Sequence, residues 1–482
     1  MPLSEAVNRL RGAPGSNVSV WTSRKAQNGS WGARRRVPLV RAVIRIESVE
    51  SRMLADGVGY IKINNFQGNT HEDMRAALTQ LHQRNLRGLV LDLRDNPGGL
   101  LDQAVRVADT FLPRGTIVTT SSQDPREHEV KEAFERGTEP NYPMVVLVNG
   151  SSASASEIVA GALKNHDRAL VLGETSFGKG SVQVLYNFND GSALKLTIAQ
   201  YLTPGDISIQ GVGIVPDIAI DPMTVDRENM DLEVDRTHVR EADLAAHLTH
   251  ASARELQTPS TVMRYYLDAA TRRRLQEAGP NEEENEEESE FLTKFGQRLI
   301  ARATRPGRRE MLEDATAVLE QTAEQEMRKA IAELRRLGVD WSLGEDRGPS
   351  DVRVEVSTDA PENIATAGSP FHLRVRVTNV GQAPLYQLRG KTKSDNGLFD
   401  ERELVFGRLN PGETREWTTN LAQCVTEDEK RVCRIPPGTP DRADGIRINF
   451  QEAHGHAPQP TEIRTTIRAL PSPQFAYSIQ IA

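Results

Sequence analysis

The chain has 482 residues, 38% of them hydrophobic, with a formal net charge of −8 and two cysteines. That length exceeds one compact core, so several domains are expected. The acidic balance leaves no basic footprint for nucleic acid, no apolar run reaches the roughly 18 residues of a membrane-spanning helix, and charges at Glu5, Arg9 and Arg11 break the apolar stretch a secretory leader needs.

Leu3, Ala6, Val7 and Leu10 recur at helical spacing and predict a first helix. "RGAPGSNVSVWTSR" then gives a turn and an alternating strand, and "RRVPLVRAVIRIESV" a further strand. From about residue 46 the pattern becomes α/β. "GVGYIKINNF" reads as a strand, "THEDMRAALTQLHQR" as a helix and "LRGLVLDLRD" as a buried strand. The turn "NPGG" leads into a helix with Leu101, Ala104, Val105, Ala108 and Phe111 on one face, and "MVVLVNG" repeats the strand-then-turn arrangement. Such alternation suggests crossover units around a central sheet.

After Pro216 the texture changes. Residues 225–345 are charged and helix-rich, with "NEEENEEESE" read as a solvated break and "MLEDATAVLEQTAEQEMRKAIAELRRLG" as a long helix. From about 350 short alternating segments such as "VRVEVS" and "FHLRVRVTNVG" have the signature of a β-sandwich. Cys424 and Cys433 are either a disulfide closing a short loop or two free thiols.

"GSSASASEIVAGALKN" places Ser151, Ser152, Ser154 and Ser156 on the approach to a helix. An unassisted hydroxyl is a weak nucleophile, so the pattern poses the question of a base. A Gly-x-Ser-x-Gly elbow fails, because Ser154 stands where its second glycine belongs, and the nearest histidine, His166, has no triad context. "GETSFGKG" approaches a phosphate-binding loop, but Gly180 replaces the required Ser or Thr and a strand follows. Ser176 and Lys179 spell Ser-x-x-Lys, yet Gly178 and Gly180 oppose the helix that motif needs.

What remains is Lys179 serving a serine on another element, 25 residues after Ser154. At pH 7 a free lysine is neutral in about one molecule in 2,500, a deficit of roughly 4.6 kcal/mol. Burial among apolar groups removes about 3 to 5 pH units of it. By residue type alone Lys179 also reads as a surface turn lysine between two glycines.

"SASASEIVAGALKNHDRALVLGETSFGKGSVQ" and "GSALKLTIAQYLTPGDISIQGVGIVPD", with "YIKINNF" and "LDLRDNPGGLLDQAV" upstream, resemble the C-terminal processing peptidases, or tail-specific proteases, over about residues 3–220. The resemblance implies a Ser-Lys dyad: Ser154 as nucleophile, Lys179 as base and Gln183 orienting the lysine. Lys179, Ser181 and Gln183 share one face of an extended strand. An oxyanion needs two donors. The Ala155 amide at the helix start is one, and Gly98 or Gly99 supplies the other. Glu157 is expected to support the site, and Ser151, Ser152 and Ser156 to cap and pack.

The fold implied is a crotonase/ClpP-like α/β protease core with a truncated PDZ domain, a helical segment and a C-terminal immunoglobulin-like β-sandwich. The expected boundaries are 1–45, 46–224, 225–347 and 348–482, with the first PDZ strands upstream of Met1. The implied partners are protein or peptide substrates with apolar C-terminal tails, an adaptor or second copy staying open, with no cofactor and no metal. The implied location is periplasmic or exported. The rival expectation is a non-catalytic scaffold that binds tails and works through the sandwich.

Overall fold

The structure, a computed structural model, describes residues 9–24, 31–42, 47–122, 128–190, 192–227, 230–232, 241, 258–277, 286–427 and 430–470. Most of the expected first helix lies outside these residues. In chain order, β1 (Asn17–Thr22) and β2 (Arg35–Val40) form an antiparallel hairpin with Asn17 opposite Val40. There follow β3 (Val49–Met53), β4 (Val58–Ile63), α1 (Thr70–His82), β5 (Gly88–Asp92), α2 (Leu101–Asp109), β6 (Arg114–Ser122), β7 (Glu129–Phe134), β8 (Met144–Val148) and α3 (Ala155–Asn165). Next come β9 (Leu170–Gly173), β10 (Ser181–Asn187), β11 (Ala193–Thr203), β12 (Ile207–Ser208), β13 (Ile218–Met223) and β14 (Thr261–Tyr266).

The runs GLVLD of β5 and MVVLV of β8 lack polar alternation, as strands covered on both faces do, and every residue in both is buried. They lie at the centre of a seven-stranded sheet ordered β14-β13-β9-β8-β5-β4-β3. All of its pairings are parallel except that of β3 with β4. From β4 to β14 this order follows the chain without reversing. Right-handed crossovers therefore lay α1, α2 and α3 on one face, where Met74, Leu78, Val107, Ile158 and Val159 pack against Ile61, Leu89, Leu91, Val146 and Val171.

The opposite face, with Tyr60, Val90, Val145, Leu147, Leu172 and Ile220, is left for later chain to cover. That cover comes from α5 (Glu286–Arg302) and α6 (Arg308–Asp314), which follow α4 (Ala269–Glu277) and precede α7 (Thr316–Arg336). Leu292, Phe295, Leu299 and Ile300 on α5 and Met311 on α6 are buried there.

The sheet and its cover extend past the boundary expected at residue 224. β14 pairs in parallel with β13 beyond it, Ile218 opposite Thr261, and α5 and α6 complete the core. The acidic run also differs from its reading as a break, since its described residues open α5.

A smaller sheet ordered β10-β11-β6-β7, with β12 on β11, stands beside the core. The C-terminal strands are β15 (Val352–Thr358), β16 (Ile364–Thr366), β17 (His372–Asn379), β18 (Leu385–Lys393), β19 (Glu403–Leu409), β20 (Thr414–Asn420), β21 (Gln423–Glu427), β22 (Lys430–Arg434), β23 (Arg442–Gln451) and β24 (Thr461–Arg468). Alternate residues of β17 and β23 are buried, and sheets β15-β17-β20 and β16-β24-β23-β18-β19 share one core around Phe371, Val375, Phe399, Trp417 and Ile448. Met223, Leu232, Leu334 and Trp341 belong to that core as well, so it reaches back across the boundary expected at 347. Cys424 and Cys433 face each other across β21 and β22 and are joined as a disulfide.

Candidate active site

Three adjacent parallel strands end at one place. The loop after β5 carries Asn96, Gly98 and Gly99, the turn after β8 carries Ser154, and the loop after β9 carries Ser176, Gly178 and Lys179. In open α/β sheets the crevice beyond the strand carboxyl ends is where ligands bind.

Ser154 precedes α3 with φ 54° and ψ −109°. Positive φ at a non-glycine residue costs about 1–3 kcal/mol and persists only where neighbours fix it. Here they do. Ala153 N donates to Asn96 O at 3.0 Å, Ser156 Oγ to the same carbonyl at 2.9 Å, and Ser152 Oγ to Leu93 O at 2.8 Å. Ser152 and Ser156 thus pack and bond as expected.

Glu157, fully buried, links this turn to the lysine loop. Its Oε2 accepts from Ser154 N at 2.7 Å and Lys179 N at 2.9 Å, and its Oε1 from Ser176 Oγ at 2.5 Å and Gly178 N at 2.7 Å. The amides of Ser154 and Lys179 therefore share one acceptor atom and lie less than two hydrogen-bond lengths apart. Burial pushes the Glu157 carboxyl up to about 7, against the downward pull of Ser176 and the amides of Gly178, Ser154 and Lys179.

Lys179 and Ser154 are both half-buried. No hydrogen bond joins Ser154 Oγ to Lys179 Nζ among the described residues. Without substrate, catalytic hydrogen bonds are commonly long and tighten on binding. Gln183 is not brought to Lys179: it is exposed on β10 and donates to Thr197 Oγ1 at 3.4 Å. A bulge at this point, where Val182 faces Ala199 but Gln183 faces Thr197, sets that pairing.

The two glycines separate cleanly. Gly98 N donates to Asn96 Oδ1 at 2.9 Å, so it is not the free donor sought there. Gly99 is exposed at φ 145° and pairs with Phe66 through its neighbours, Gly98 O accepting from Phe66 N and Leu100 N donating to Phe66 O. That leaves its own amide without a partner among the described residues. A Cβ at Gly99 would stand 2.2 Å from Phe66 O, and one at Gly98 3.0 Å from Ala155 N. Ala155 N, at the first position of α3, has no partner in its own helix.

His166 caps the far end of α3, about 18 Å of helix from Ser154, with Nε2 2.6 Å from Thr116 O. It is not the base. The phosphate-loop reading falls too, because Lys179 runs into β10 and no helix follows.

Sequence reasoning missed Asn96, and it weighed Ser176 only as a partner of Lys179. Asn96 is buried, with Nδ2 donating to Ile63 O at 2.7 Å, and it ties β4 to both the glycine loop and the serine turn. Asp92 anchors the root of that loop. Its Oδ1 accepts from Arg94 N at 3.0 Å and its Oδ2 from Tyr60 hydroxyl at 2.8 Å. Burial raises its carboxyl, and Arg94 outweighs burial and holds it below the usual range. The polar run DLRDN between apolar residues was the available signal. No groups of acidic, histidine or cysteine residues able to hold a metal occur among the described residues.

Residues 57–220 match the family described as peptidase family S41. The chain is 39% identical over 243 residues to the carboxy-terminal-processing protease of Bartonella bacilliformis, covering 49% of this chain and 55% of that protein. It is 36% identical over 225 residues to the carboxyl-terminal-processing protease of Synechocystis sp., covering 46% and 51%. It thus spans about half the length of the curated relatives it matches. The solved photosystem II D1 C-terminal processing protease is 33% identical, covering 43% of this chain and 56% of that one, with a TM-score of 0.34. Residues 57–220, built on the sheet that carries Ser154 and Lys179, thus match a peptidase family S41 domain and are similar to the proteases named here.

Proposed function

We propose that this chain is a serine endopeptidase that cuts proteins near their C-termini, with Ser154 as nucleophile and Lys179 as general base. The observation that carries the reading is the single Glu157 oxygen that binds the amides of both residues. Ser154 Oγ attacks the scissile carbonyl while neutral Lys179 takes the hydroxyl proton. Lys179 then returns that proton to the leaving amine, and water resolves the acyl-enzyme by the same route. Ala155 N and Gly99 N meet the developing oxyanion. Gln183 orients the lysine after turning from its long contact with Thr197.

The finer architecture belongs to the same proposal. The hairpin β1–β2 is read as part of a PDZ domain that receives apolar tails. The central sheet is read as a crotonase/ClpP-like core, and the two C-terminal sheets as an immunoglobulin-like sandwich that docks substrates, an adaptor or a second copy. The disulfide supports an oxidising location such as the periplasm. No helix among the described residues is long and apolar enough to cross a membrane.

The test is cleavage of a folded protein carrying an apolar C-terminal tail. Ser154→Ala and Lys179→Ala are each expected to lower the rate by at least about 10²-fold, the scale of losing a nucleophile or a positioned base. The scaffold reading, favoured by the unmade Ser154–Lys179 hydrogen bond, expects binding of the tail and no cutting by any version. Uncut substrate with the unaltered protein would decide for it.

A further inference from the structure

The Ser-x-x-Lys spelling at Ser176 and Lys179 was set aside as a catalytic pair, and the structure gives Ser176 other work. Ser176 is fully buried. Its hydroxyl donates to Glu157 Oε1 at 2.5 Å and accepts from Ile214 N at 2.6 Å. Ser176 N also donates to Ile214 O at 3.2 Å. The residue is therefore moored to the turn before β13 and steers the carboxylate from there.

We propose, resting on the Ser154–Lys179 reading, that Ser176 is a positioning residue for peptide-bond cleavage: it fixes the Glu157 carboxylate, which in turn holds the nucleophile's turn and the lysine's loop in register.

The chemistry of the partners supports this. A carboxylate offers about four lone-pair sites, and all four on Glu157 are filled. Three of the donors are backbone amides, of Ser154, Gly178 and Lys179, which cannot reverse. Only the Ser176 hydroxyl can change from donor to acceptor. When Glu157 takes a proton, that proton has one place to go, Oε1 facing Ser176 Oγ, and the hydroxyl must rotate away. Ser176 thus favours the charged form by its hydrogen bond and alone accommodates the neutral one.

Glu157 meets its partners from α3 and from the loop 176–179. Other elements packed against α3 carry Asp102, Arg106 and Asp109 on α2, Arg114 on β6, and Lys195 and Tyr201 on β11. None of these six is a hydrogen-bond partner of Glu157 among the described residues. Lys179 reaches Glu157 through its backbone amide.

The experiment measures kcat and KM against pH for a quenched fluorescent peptide with an apolar C-terminal end. Ser176→Ala is expected to lower kcat by about 10–100-fold, the cost of a misplacement near 1 Å, with KM within about 3-fold. Its acid limb is expected to move to higher pH, because a hydrogen bond to the charged carboxylate is lost. Ser176→Thr and Ser176→Val have the same shape and differ in the hydroxyl, so Thr is expected to exceed Val by at least about 10-fold in kcat. Equal Thr and Val rates, or a Ser176→Ala protein with the parent's kcat and acid limb, would overturn the proposal. Cleavage that survives Ser154→Ala would instead remove the reading beneath it.

Discussion

Ser154 occupies a backbone conformation few serines adopt, and the residues that keep it there come from three loops. The glycine opposite is held as tightly. A methyl at Gly99 would collide with Phe66 O, so Gly99→Ala must push its loop away from Phe66 and turn its amide off the oxyanion. The expected result is a kcat lower by about 10²–10³-fold, the scale of one lost oxyanion donor, with KM little changed and the melting temperature lowered, because the Phe66 backbone must shift. Steady-state kinetics and a thermal melt check it. At this scale the gathering of Ser154, Glu157 and Lys179 at one turn and one loop was legible, because a short motif fixes their order, while their catalytic roles belong to the proposal. The choice between Gly98 and Gly99 was not, because it depends on a side chain two residues before Gly98 turning back to the Gly98 amide. Ser176 was hidden for a similar reason. Its partners, Glu157 and Ile214, lie 19 and 38 residues away on either side.

Among the elements, uninterrupted apolar runs announced β5, β8 and β9, and helical spacing announced α1, α2 and α3. The cover on the second sheet face was harder to read. The composition of α5 is dominated by its charged outer side, while Leu292, Phe295, Leu299 and Ile300 carry the buried stripe at helical spacing. β14 is six residues long and separated from β13 by a long charged stretch, so only its parallel pairing reveals it. One prediction belongs to this scale. A protein ending at residue 224 keeps every proposed catalytic residue but bares Tyr60, Val90, Val145, Leu147, Leu172 and Ile220. It is expected to aggregate, whereas the full-length protein, with that face covered, stays soluble. Size-exclusion chromatography of the two proteins distinguishes these outcomes.

For the whole molecule, Glu157 sets activity and stability against each other. Its carboxyl is raised from 4.5 to about 7 in the fold, so the folded state binds the extra proton. The associated stability is full below about pH 4.5 and is lost as pH rises through 7. That span corresponds to about 3 kcal/mol. Relative to Glu157→Gln, the parent protein is therefore expected to lose about 3 kcal/mol of unfolding free energy between pH 5 and pH 8, measured by urea denaturation. Over the same interval its kcat is expected to rise, since the ionised carboxylate holds the four donors.

The order of the central sheet has a bearing on biosynthesis. β9 lies between β8 and β13, and the segment bearing Lys179 reaches the head of α3 only when β9 is seated beside β8. On the proposed roles, a growing chain carries the nucleophile 25 residues before the base. The two meet only once the central sheet has closed, so the dyad is assembled by folding and not by local sequence.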